Sequence, residues 1–182
     1  MLRLEVKQTS LWDEENEQYI YTEPATVRLE HSLISISKWE AIYKRPYLIP
    51  QKFSQKETLD YIKCMCLDEN VSDDVFYAVY GDSSLMKQID DYINSSPTAT
   101  TIYEDNKKKR NSEKVTSELI YYWMVANEIP FTCETWHIER LLTLIRVCNV
   151  KNQPPKKQSM NDIYARNKRL NAARRAKHTS KG

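Results

Sequence analysis

Gly81 is the only glycine inside this chain; the other of its two glycines, Gly182, is the last of 182 residues. That scarcity removes several architectures. A phosphate-cradling loop or a dinucleotide-binding fingerprint needs several glycines, because only a residue without Cβ lets the backbone approach a phosphate closely. Propellers and glycine-kinked barrels are disfavoured on the same ground. Apolar residues make up 41% of the sequence and the mean hydropathy is −0.68, which suffices for one modest core. No apolar run approaches the roughly 20 residues that span a bilayer. Met1-Leu2-Arg3-Leu4-Glu5 lacks the apolar stretch of a secretory signal. The four cysteines are therefore expected as free thiols in a reducing cytosol.

The formal net charge of +2 conceals a division at Lys151. From Lys151 to Gly182, ten basic residues (Lys151, Lys156, Lys157, Arg166, Lys168, Arg169, Arg174, Arg175, Lys177 and Lys181) stand against one acid, Asp162, a net of +9. The first 150 residues carry 17 bases and 24 acids, a net of −7. The chain is an acidic body with a basic tail.

The pattern predicts an α+β fold, with antiparallel strands in residues 1–31 and a helical bundle in 32–150. Leu2, Leu4 and Val6 alternate with Arg3, Glu5 and Lys7, and strand-like runs resume at Tyr19–Tyr21 and Ala25–Leu29, implying two or three strands. Ser37-Lys38-Trp39-Glu40 and Ser54-Gln55-Lys56-Glu57 are capping-box patterns that open helices. Ser72 before Asp73 and Asp74 marks a third, and Ser83 or Ser84 to Ile93 a fourth. Pro97, Thr98–Thr101 and Lys107–Arg110 read as a polar loop. Leu119–Ala126 is apolar all round, so it is a central helix or one that faces a partner. A further helix is expected from about Cys133 to Cys148, the two forming a helical hairpin. Beyond it, Asn152–Lys157 is a Pro/Lys linker, and Ser159-Met160-Asn161-Asp162 caps a basic helix reaching about Lys177.

Catalytic constellations are weak. Cys64 and Cys66 are two apart and Cys133 and His137 one helical turn apart, which is not the spacing of a credible zinc site. A Cys133–His137 nucleophilic pair has no evident orienting group. No catalytic residue, metal or cofactor is expected. The aromatic inventory is more informative, with twelve tyrosines and four tryptophans against three phenylalanines. Tyrosine and tryptophan combine apolar area with a polar tip, which suits interfaces. Trp39, Trp123 and Trp136 read either as core or, with Tyr121 and Tyr122, as an oligomer or client surface. Lys156, Lys157, Arg169, Arg174 and Arg175 are the corresponding candidates on the tail.

Three runs between Thr116 and Asn149 carry a resemblance: Thr-Ser-Glu-Leu-Ile-Tyr-Tyr-Trp-Met, Ile-Pro-Phe-Thr-Cys-Glu-Thr-Trp-His and Arg-Leu-Leu-Thr-Leu-Ile-Arg-Val-Cys-Asn. With Pro154–Lys157, Ser37–Glu40, Tyr43–Leu48, Thr58–Met65 and the Asn167–Gly182 ending, they resemble small proteins encoded among the tail genes of long-tailed bacteriophages, the tail assembly chaperone group. The resemblance implies a non-catalytic protein of the host cytoplasm, absent from the mature virion. It would bind the tape measure protein, promote tail-tube assembly around it, and be released. Tape measure and tail tube proteins are the implied partners, with a homo-oligomer also open. Two other classes remain: a virion component of the head–tail connector or tail-completion type, and a nucleic-acid-binding accessory protein using the tail. The acidic body argues against nucleic acid, and no membrane partner is expected.

Overall fold

The computed structural model describes residues 1–13, 17–100, 114–152 and 160–179. The Lys107–Arg110 cluster and Lys156, Lys157 and Ser159 of the linker lie outside the described residues. The chain forms two compact units, Met1–Val150 and Lys151–Gly182, divided where the charge changes sign.

The fold is α+β with its strands at the N-terminus, and among the described residues there are four strands where two or three are expected. Strand β1 (Leu2–Val6) pairs antiparallel with β4 (Ala25–Leu29), and the β2 (Thr9–Asp13) and β3 (Gln18–Thr22) hairpin is inserted between them. The period-two pattern works as written. Leu2↔Leu29, Leu4↔Val27 and Val6↔Ala25 are apolar cross-strand pairs on the core face, the unit from which sheets gain stability. The outer edge of β4 is closed by the segment after α2 (Gln55–Met65). Leu67 N–H donates to the Arg28 carbonyl at 2.9 Å. In return the Arg28 backbone N–H and guanidinium both donate to the Asp68 carboxylate, at 2.7 Å each. An edge so covered cannot recruit a foreign strand.

Helix α1 (Leu33–Tyr43) starts earlier than the sequence pattern suggests. Its N-cap is Ser32, whose Oγ accepts from Ser35 N–H at 3.3 Å, and Ser37 lies inside the helix. The reason is tertiary: starting directly after β4 lets Leu33, Ile36 and Trp39 reach the core from one face. The Ser54 capping box of α2 is present in both directions, with Ser54 N–H donating to Glu57 Oε2 at 2.7 Å. α3 (Asp73–Gly81) and α4 (Ser83–Ile93) follow, and Asp82 rather than a serine caps α4, its Oδ1 accepting from Ser84 N–H at 2.8 Å.

α5 (Ser117–Ala126) packs most closely on α1. The expected single helix from Cys133 to Cys148 is instead a 3₁₀ turn, Phe131–Thr135, followed by α6 (Ile138–Lys151). Trp136 and His137 between them are held extended, because His137 forms an isolated bridge with Ser32 and Ile138 N–H donates to the His31 carbonyl at 2.8 Å. The tail unit contains α7 (Met160–Thr179), whose six basic residues and one acid make it a cationic helix.

Glycine scarcity has a measurable cost. Lys44, which ends α1, sits at φ 55° and ψ 32°, and Asn70 and Glu128 also take positive φ. A residue with Cβ is disfavoured in the left-handed region by about 1–2 kcal/mol. Lys44→Gly is therefore expected to raise unfolding free energy by about 0.5–1 kcal/mol, net of the entropy glycine adds to the unfolded chain. A chemical denaturation midpoint that falls would contradict this.

Candidate interaction surface

α5 divides into three sectors. Ser117, Ile120 and Met124 face the core, Leu119, Tyr121 and Trp123 are half-buried on the flanks, and Tyr122 and Val125 point outward, 64% and 60% exposed. An apolar helix accordingly uses one side for the body and leaves another open. Phe131, at the start of the 3₁₀ turn, is 54% exposed and lies against the Tyr121 flank.

The flanks are tied down. The Tyr121 hydroxyl donates to Glu134 Oε2 at 2.8 Å, and its ring lies 6.1 Å from Phe131. Burial, and then the carboxylate it bonds, push the Tyr121 hydroxyl pKa up, so it stays a neutral donor. Trp123 borders an open groove of about 390 Å³, shared with Leu48, Val115 and the Leu142 and Ile145 stripe of α6. Asn127 Nδ2 donates to Asn149 Oδ1 at 3.2 Å between α5 and α6. Trp136 is half-buried, and the Arg140 guanidinium lies 4.1 Å from its ring centre, a cation–π contact between the extended segment and the first turn of α6.

Trp39 is corrected. It is fully buried, and its Nε1–H donates to the Glu57 carbonyl at 3.1 Å, so it has no face to offer a partner. The remaining aromatic candidates gather around α5 and the start of α6. Arg169, Arg174 and Arg175 lie on the exposed surface of α7, within the other unit. Sequence reasoning overlooked Val125, Phe131 and the groove. Val125 was readable, being three residues after Tyr122 and so on the same helical face. Phe131 lies beyond α5, where no periodic signal announces its exposure.

The arrangement offers little to nucleophilic chemistry. Both nitrogens of His137 are engaged, Nε2 with the Tyr92 carbonyl at 3.1 Å and Nδ1 with Glu139 N–H at 3.3 Å, leaving none to activate the Cys133 thiol. Burial pushes the Cys64 and Cys66 thiols up, away from the reactive thiolate. Among the described residues no three His, Cys, Asp or Glu side chains are grouped to hold a metal ion, and no helix is long and apolar enough to cross a membrane. No protein-family model, curated protein or solved structure matches the chain.

Proposed function

We propose that the chain is a non-catalytic bacteriophage tail assembly chaperone, binding the tape measure protein in the host cytoplasm and promoting tail-tube assembly around it. The observation that carries this reading is the outward face of α5, where Tyr122 and Val125 are exposed, on the helix whose Trp123 lines an apolar groove. A client helix can lay an apolar face across such a surface, with anchors at i, i+3 and i+4. Rigid mounting matters here, since side chains already ordered in the free protein lose less entropy on binding. The basic tail, with a net of +9, supplies electrostatic steering toward an acidic partner such as the tube subunit. The resemblance of residues 116–157 to tail assembly chaperones points the same way.

Co-expression with the tape measure protein from the same genome tests the reading. The affinity-tagged chain is expected to recover it in soluble form, and Tyr122→Asp with Val125→Asp to reduce recovery at least about 10-fold, the effect of losing one interface hot spot. Both positions are more than half exposed, so the double variant retains the core. Failure of the unaltered chain to recover soluble tape measure protein would overturn the proposal.

A further inference from the structure

Two buried histidines, outside the interaction surface, join the β4–α1 junction to the start of α6. His31 and His137 are 4% and 6% exposed, and their rings meet edge to face with centres 5.1 Å apart. The chain segments that carry them are bridged by Ser32 and His137 and by the Ile138 N–H to His31 carbonyl bond. These are the contacts that keep Trp136 and His137 extended and set where α6 begins.

The surroundings suit an uncharged imidazole at His31. Because the Tyr92 carbonyl can only accept, His137 carries its proton on Nε2, and its Nδ1 accepts from Glu139 N–H. From α2, the Tyr61 hydroxyl lies 2.5 Å from His31 Nδ1, and from the α1–α2 connection the Tyr47 ring lies 6.1 Å from the His31 ring. From α4, Tyr92 stands edge-on to His137 at 5.1 Å. The carboxylates of this region are committed elsewhere. Glu30 accepts from the Tyr92 hydroxyl at 2.5 Å and pairs with the Met1 amine at 2.7 Å. Glu40 accepts from the Tyr47 and Ser117 backbone amides.

We propose that the His31–His137 pair is an acid-sensitive latch, holding the start of α6 on the β4–α1 junction at neutral pH and releasing it when His31 takes up a proton. A charge on His31 would be buried beside another imidazole, and the nearby Glu30 and Glu40 among the described residues are already engaged. Burial, and then the neighbouring His137, hold the His31 pKa down at about 3, against an ordinary value of 6.5. The folded pKa is thus below the unfolded one. The closed junction has its full stability above pH 6.5 and loses it progressively as the pH falls from 6.5 toward 3.

Hydrogen exchange read by mass spectrometry from pH 7.5 to 5.0, with rates corrected for their intrinsic pH dependence, tests the latch. In the unaltered chain, opening of the amides of residues 138–145 is expected to increase by up to about 30-fold at pH 5.0. Those of α2 should stay protected over the same range. In His31→Gln, which keeps a polar group for Tyr61 but does not titrate, the increase should vanish. The proposal is overturned by loss of α2 and α6 protection in one transition, by a pH-independent α6, or by an undiminished increase in His31→Gln. Should that variant fail to fold, the comparison of α6 with α2 in the unaltered chain still decides.

Discussion

Trp39→Ala is expected to lower the unfolding free energy by about 3–5 kcal/mol, the range for removing a large aromatic side chain from a packed interior. The Trp39 ring is fully buried and surrounded by aromatic partners. Tyr43 lies 4.8 Å away, and Tyr47 and Phe53 stand edge-on at 5.3 Å each. On another side the Arg45 guanidinium lies 5.3 Å from the ring centre and pairs with Glu57. The indole N–H bonds the Glu57 carbonyl, so this one side chain fastens α1 to the first turn of α2. Alanine would leave a cavity that four surrounding groups cannot collapse into without losing their own contacts. Trp39→Phe preserves most of the packing and loses the indole hydrogen bond, and is expected to cost about 1–2 kcal/mol. Urea unfolding followed by far-ultraviolet circular dichroism measures both. A cost below about 1 kcal/mol for alanine would contradict the packing argument.

Replacing Glu40 by leucine should cost about 2–4 kcal/mol, for a different reason. Glu40 is 7% exposed, and its two oxygens are divided between distant backbone amides. Oε1 accepts from Tyr47 N–H at 2.8 Å, and Oε2 accepts from Ser117 N–H at 2.8 Å, at the first residue of α5. A carboxylate at a helix N-terminus is favoured by the helix dipole and by the amides that no intrahelical carbonyl can reach. Leucine fills similar space but leaves two amides without acceptors, and Ser117 is fully buried. Glu40→Gln can still accept through its single carbonyl oxygen, so it should fall midway, at about 1–2 kcal/mol. The same stability measurement ranks the three chains. Hydrogen exchange localises the defect, with α5 amides in Glu40→Leu expected to lose protection before those of α2. Equal stability of Glu40→Gln and Glu40→Leu would show that the bonded carboxylate is not what holds α5.

What could be read from the sequence follows from how far apart the interacting residues are. The α2 capping box was legible because Ser54 and Glu57 are three residues apart and the device is complete within one turn. The β1 and β4 core faces were legible because alternation is a property of each strand alone. The start of α6 was not, since it depends on a bond from Ile138 to His31 that no local pattern announces. The candidate surface was half legible. The aromatic cluster at Tyr121–Trp123 was visible, but which of its members faces outward was not, because every direction around that helix is apolar.

Composition-level exclusions, the helix and strand segments whose signals lie within a few residues, and the separation of an acidic body from a basic tail are all written in the amino-acid sequence. It took the fold to place Trp39 in the core, to leave Tyr122, Val125 and Phe131 exposed, and to bring Glu40 to a helix 77 residues away. Periodicity says that a face is apolar, whereas which apolar face is covered depends on partners brought together by the fold, and these are fixed by packing between residues far apart in the chain.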